Sequence, residues 1–176
     1  MKIGVLKETY PGEQRVALVP AVLPSLIKGG MEVIIESKSG EQAGYPDEAY
    51  IEKGGRIADS RGQVFEISDF ILQVRLLGAN PKEGKVDLPS LRKGQMLVGM
   101  AEALANPQSV QELAAREVTA FALELMPRIT RAQSMDILSS KGTVAGYKAV
   151  LMAANTLPKM FPMLMTAAGT VTPLRV

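Results

Sequence analysis

Short runs of β-branched and aliphatic residues alternate with helical stretches that open on proline and close on glycine over the first ~125 residues. That alternation constrains the fold more than any other feature of the chain. Residues 3–6 read as a buried strand. Pro20 opens a helix whose apolar positions Val22, Leu23, Leu26 and Ile27 share a face, with Pro24 tolerated near its start; Gly29 and Gly30 stop it. Residues 33–36 form a second strand. Pro46, Asp47 and Glu48 begin a short helix that ends at Gly54-Gly55, residues 60–67 form another, and residues 70–74 are a β-branched and aromatic strand. A turn-rich loop at 80–84 and a short helix at 88–93 lead into a strand at 96–100. Asn106-Pro107 opens the next helix, with Val110, Leu113 and Ala114 inward, and residues 118–123 make a fifth strand. Five strands separated by helices imply right-handed crossovers and a mainly parallel sheet covered on both sides. The expected fold is α/β, an open doubly wound sheet of flavodoxin-like or Rossmann-like layout.

The pattern changes after Leu123. Residues 127–133 are polar and loop-like, and Ser134 can cap a long helix that runs to about Leu157 and is ended by Pro158. Small residues along it (Ala145, Gly146, Ala149, Ala153, Ala154) permit close packing against another element. Residues 163–167 and 170–175 then read as a β-hairpin turned at Ala168-Gly169. Two isolated strands are marginal in water, so the hairpin should pair with another subunit or with further polypeptide. The organisation is therefore an α/β domain over 1–126, a loop and long connecting helix over 127–158, and a hairpin over 159–176.

Composition excludes several chemistries. With no cysteine and no histidine among 176 residues, disulfides, thiol nucleophiles, Cys/His metal sites and imidazole bases are unavailable. A formal charge of +2 without a dense Lys/Arg run gives no phosphate-tracking stripe, so nucleic acid is not an expected partner. No apolar stretch of signal-peptide length opens the chain. The most apolar region, residues 160–171, is interrupted by Pro162 and Gly169 and is too short to span a bilayer, so no direct membrane insertion is expected.

The chain contains no Gly-x-Gly and no Walker-type loop, the usual devices for bringing backbone amides to a pyrophosphate. Three polar clusters remain. Residues 8–20 follow the first strand at the carboxyl edge of the sheet; Arg15 there can offer a guanidinium fork to a carboxylate, or simply pair with Glu8 or Glu13. Arg75 and Glu102 end successive strands and can face one cleft, either as functional groups or as a structural pair. Residues 127–140 concentrate Arg128, Arg131, Gln133, Ser134, Asp136 and Ser139 at a loop-to-helix junction. A planar carboxamide ligand needs one acceptor and two donors, which Gln, Asp, Ser and Arg supply. A helix start capped by Ser134, with Asp136 favoured by the helix dipole, accounts for the same residues.

Residues 127–140, continued by Val144-Ala145-Gly146-Tyr147-Lys148-Ala149-Val150, resemble the NAD(H)-binding component (domain I, alpha subunit) of proton-translocating nicotinamide nucleotide transhydrogenase. The pattern Glu8…Gly12-Glu13-x-Arg15-Val16-Ala17…Pro20 is shared with the related alanine dehydrogenases, and residues 163–170 are similar to the transhydrogenase hairpin. The resemblance covers the whole chain and implies a site for the nicotinamide end of NAD(H) formed by Arg128, Gln133, Ser134, Met135, Asp136 and Ser139. It also implies NADP(H) on a partner domain and hydride passing directly between the cofactors, with no protein catalytic residue and no metal. Proton movement would run through a membrane domain, which places the chain in the cytoplasm, peripheral to the inner membrane. A homodimer through the hairpin between Met163 and Arg175 is expected. Family chains continue into a Gly-rich Rossmann domain, so the chain alone is expected to be inactive. The alternatives are an alanine dehydrogenase-like oxidoreductase fragment and a non-enzymatic dimerising module. Against the former, Arg75 replaces the expected lysine and Glu102 falls where a histidine is expected.

Overall fold

Strands β1 (Lys2–Val5), β2 (Glu32–Glu36), β3 (Arg56–Ala58), β4 (Phe70–Arg75), β5 (Met96–Met100) and β6 (Thr119–Ala122) form one sheet in the computed structural model, which describes residues 1–173. The order is β3-β2-β1-β4-β5-β6 and every pairing is parallel. The doubly wound α/β class expected from the sequence is the observed one, with six strands in place of five. The additional strand, β3, is three residues long and lies at the sheet edge, where Arg56 pairs with Glu32 at 3.6 Å. So short and half-exposed a segment carries no periodic signal. Its effect on topology is nevertheless large. Without it the five expected strands stand in the flavodoxin order 2-1-3-4-5; with it the order is 3-2-1-4-5-6, that of dinucleotide-binding sheets.

Alternation along the strands divides the core between the two faces of the sheet. Val33 and Ile35 of β2 point to one side, where Val5 packs with Leu23 of α1 (Leu23–Lys28) and Tyr50 of α2 (Asp47–Ile51). Ile34 points to the other, joining Leu6, Ile71 and Leu97, with Val64 and Phe65 of α3 (Arg61–Ile67). The connection from β3 to β4 must cross back over β2 and β1, and α3 does this, touching all three of β1, β2 and β3. Ser60 caps it by accepting from the Gln63 N–H at 3.3 Å.

The helix expected at 88–93 is displaced. One turn, α4 (Gly84–Asp87), runs into a 3-10 turn at Leu88–Ser90, and the chain leaves in extended form at Leu91, which enters the core. α5 (Pro107–Ala114) follows β5 and contributes Leu113 to the Phe65 side. β6 ends the sheet with Phe121 49% exposed.

The chain divides into two compact units, the first being Met1–Met126. In the second, a 3-10 turn at Thr130–Met135 precedes α6 (Ile137–Thr156), and β7 (Leu164–Thr166) pairs antiparallel with β8 (Gly169–Val171). Asp136, not Ser134, is the N-cap of α6: residues 130–135 are already wound as 3-10, so the break in conformation falls at Asp136. The hairpin turns on Ala167-Ala168, one residue earlier than expected, with the Thr166 hydroxyl taking the Ala168 N–H at 3.2 Å. The end of its expected second strand, residues 174–175, lies outside the described residues.

Candidate functional site

The strand order reverses between β1 and β4, and the loops leaving their carboxyl ends flank the crevice where open α/β sheets take ligands. Pro11 followed by Gly12 at φ 79° suits a type II turn, closed by the Glu13 N–H donating to the Tyr10 carbonyl at 3.0 Å. This turn carries Glu13 back beside the end of β4. Its Oε1 accepts from Arg15 Nε at 2.7 Å and from the Arg15 backbone N–H at 3.2 Å. Its Oε2 accepts from Arg15 Nη2 at 2.6 Å and from Arg75 Nε at 2.9 Å. The Glu13 side chain is only 5% exposed. The Arg15 hydrogen bonds, helped by Arg75, pull its carboxyl down to about 2. Glu8 sits next to it, accepting from the Val74 and Arg75 N–H groups at 2.6 and 3.2 Å where the β4–β5 register shifts. Burial raises the Glu8 carboxyl despite those two hydrogen bonds.

The Arg75 Cζ lies over the Tyr10 ring, 4.2 Å from its centroid. Beside it opens a cleft of about 440 Å³ lined by Tyr10, Arg75, Asn80, Lys82, Glu102 and Asn106 among others. Glu102 adopts φ 47°, a strained value for a residue with a side chain. Arg75 and Glu102 thus share a cleft, but the ion-pair partner of Arg75 is Glu13, 62 positions away in sequence, and not Glu102. Arg15 pairs with Glu13 as one reading of its loop anticipated. A second cross-brace was not visible in the sequence. Arg61 grips Asp87 with two hydrogen bonds of 2.7 and 2.6 Å and also reaches Glu36 and the Lys7 carbonyl.

The second unit holds the other candidate. Arg128, Ile129, Thr130, Gln133, Asp136 and Ser139 line a depression of about 270 Å³. Asp136 is 7% exposed, and its carboxylate is committed locally. One oxygen takes the Leu138 and Ser139 N–H groups at 2.8 and 3.2 Å, and the other takes the Ser139 hydroxyl at 2.7 Å. That hydroxyl contributes most to holding the carboxyl below its ordinary range, and the Arg128 charge adds to it. Of the six residues named from the sequence, four share the depression. Ser134 and Met135 do not line it, and Met135 is 52% exposed.

The donor set suits a carboxamide-bearing ring. Gln133 brings both a donor and an acceptor, Arg128 brings donors, and the Ser139 oxygen retains acceptor capacity after donating to Asp136. The sequence has no Gly-x-Gly, the turn that usually brings backbone amides to a pyrophosphate.

The family model described as alanine dehydrogenase/PNT, N-terminal domain, matches residues 4–145. Over all 176 residues the chain is 44% identical to the first part of NAD(P) transhydrogenase subunit alpha of Rhodospirillum rubrum, covering 46% of that protein. It is 31% identical over 163 residues to alanine dehydrogenase of Bacillus subtilis, covering 90% of this chain and 39% of the relative. The crystal structure of transhydrogenase from Sinorhizobium meliloti superposes with a TM-score of 0.87 at 36% identity, over 98% of this chain and 48% of that one. An L-alanine dehydrogenase structure gives 0.80 at 25%, over 98% and 46%. The chain spans less than half the length of these relatives. Matched by the family model over most of its length, the chain belongs to the alanine dehydrogenase/PNT family and carries its N-terminal domain.

Proposed function

We propose that this chain supplies the nicotinamide-side half of the NAD(H) site in the alpha subunit of a proton-translocating transhydrogenase. The observation that carries the reading is the gathering of Arg128, Gln133, Asp136 and Ser139 around one depression, in a chain more similar to transhydrogenases than to alanine dehydrogenases. NADH held there would supply a hydride to NADP⁺ on a partner domain. The protein's work is geometry. Gln133 and Arg128 would hydrogen-bond the ring's carboxamide, and Asp136 fixes the Ser139 hydroxyl and the first turn of α6.

The NADP(H)-binding and membrane domains belong to the partners in this reading, and they place the chain in the cytoplasm, peripheral to the inner membrane. Among the described residues no helix is long and apolar enough to cross a membrane. The hairpin, with Met163 and Met165 62% and 84% exposed, serves homodimerisation. The pyrophosphate cradle comes from outside this chain, so NADH binds the chain alone with a Kd in the millimolar range, about −4 kcal/mol.

The test is stopped-flow hydride transfer in the intact transhydrogenase. Gln133→Ala and Asp136→Ala each slow transfer by about tenfold or more, equivalent to about 1.4 kcal/mol, while circular dichroism stays unchanged. Unaltered rates in both variants would leave Asp136 as a helix cap and nothing more. Pyruvate-dependent NADH oxidation by the same protein would favour the alanine dehydrogenase reading instead.

A further inference from the structure

The loop joining β5 to α5 is held in an unfavourable shape by a carboxylate from another element. Glu102 lies in it at φ 47°, in the left-handed region where a Cβ crowds the backbone carbonyl. A glycine would take this shape freely. Glu124 offsets the strain. It belongs to the 3-10 turn Leu123–Leu125 that follows β6, and its two oxygens take the backbone N–H groups on either side of Glu102. Oε2 accepts from Ala101 and Oε1 from Ala103, both at 3.1 Å. Such charge-assisted bonds are roughly twice as strong as neutral ones. The ends of the loop are pinned without Glu124. The Ala101 carbonyl packs against Gly78, where a Cβ would collide with it, and Asn106 Nδ2 donates to the Gly78 carbonyl at 2.9 Å. Between these pins Leu104 is 83% exposed, so its packing does not fix the middle of the loop.

We propose that this loop is a spring-loaded strap along one rim of the cleft, and that Glu124 is its catch. Glu102 and Asn106 both line the 440 Å³ cleft, so letting Glu102 leave the left-handed region reshapes that rim. The catch lies in the last element before the first unit ends at Met126. A shift of that turn therefore reaches the cleft through one side chain. Strain at a residue lining a cleft, balanced by a single removable partner, is what a two-state element requires. This inference is independent of the nicotinamide-site reading, which concerns the second unit.

Hydrogen exchange on the full chain tests it, read at the Ala105 and Asn106 amides. Both donate to the Glu102 carbonyl, at 3.0 and 2.9 Å, and neither bonds Glu124, so they report the shape of the loop and not the lost contact. Glu124→Ala speeds their exchange by about tenfold or more, relative to the intrinsic rates. Adding Glu102→Gly reverses most of that acceleration, because glycine occupies φ 47° without strain and the loop keeps its shape with no catch. Ordinary loosening predicts the opposite sign, since glycine adds backbone freedom. Unchanged exchange in Glu124→Ala would overturn the proposal, and so would a double variant that exchanges as fast as the single one or faster. If Glu124→Ala shows no cooperative thermal transition, Glu124→Gln carries the same comparison. It keeps one acceptor and loses the other, so exchange rises less, and Glu102→Gly must still slow it for the proposal to stand.

Discussion

Acid titration of Glu13 offers a quantitative check on the arginine cluster. Its carboxyl lies near 2 in the folded chain against 4.5 for the free group. The difference, ~2.5 pKa units at ~1.36 kcal/mol each, comes to about 3 kcal/mol. Solvent around the half-exposed Arg15 screens part of this, so about 2–3 kcal/mol is the working figure. A depressed folded-state pKa stabilises fully above the unfolded value, and that contribution is lost as pH falls from ~4.5 to ~2. Glu8 acts with the opposite sign: its pKa is raised by burial, so its penalty is present at high pH and is relieved on acidification. The raw acid-unfolding curve therefore understates Glu13, and the comparison to make is with Glu13→Gln. Urea unfolding at several pH values between about 6 and 2 is read by tyrosine near-UV dichroism. Tyr50 is fully buried and the chain has no tryptophan, so the signal reports the first unit. The stability gap between parent and variant should narrow by about 2–3 kcal/mol over that range. A gap that stays constant, or widens in acid, would refute the assignment of Glu13 as an ionised, doubly paired carboxylate.

Two further outcomes are expected. Gly78→Ala would place a Cβ inside contact distance of the Ala101 carbonyl, a backbone atom with nowhere to go, costing about 3 kcal/mol or more; a calorimetric midpoint within roughly two degrees of the parent would contradict that packing. Tyr50→Phe removes the hydroxyl that donates to the Leu18 carbonyl at 2.9 Å, costing about 1–2 kcal/mol. The same change should delete one late phenolate step from the alkaline absorbance titration, because burial pushes Tyr50 up to about 12.

Much of this architecture was legible because it is written locally. A strand such as Glu32–Glu36 announces itself through three apolar residues that divide between two faces, and Pro107 or Gly29-Gly30 mark helix ends through single-residue backbone chemistry. β3 was invisible for the converse reason: Arg56–Ala58 has too few residues to show a period, and its strand conformation comes from pairing with β2. The cap of α6 lay between. The sequence placed the cap at Ser134, and the 3-10 winding of residues 130–135 moves it to Asp136.

The candidate sites divide the same way. The polar density of residues 127–140 is a property of fourteen consecutive positions. Sequence could find it, and folding placed Arg128, Gln133, Asp136 and Ser139 around one depression while leaving Ser134 and Met135 off it. The arginine cluster could not be found so directly. Glu13 was visible as one partner for Arg15, two residues away, but its bond to Arg75 depends on β1 and β4 being neighbours at the point where the strand order reverses. By itself the sequence determined most of the elements, the two-faced sheet and the polar loop, because periodicity and turn chemistry act over a few residues. The edge strand, the switch point and the carboxylate shared by two arginines were decided by tertiary structure alone, because adjacency of strands follows from burial summed over the whole sheet.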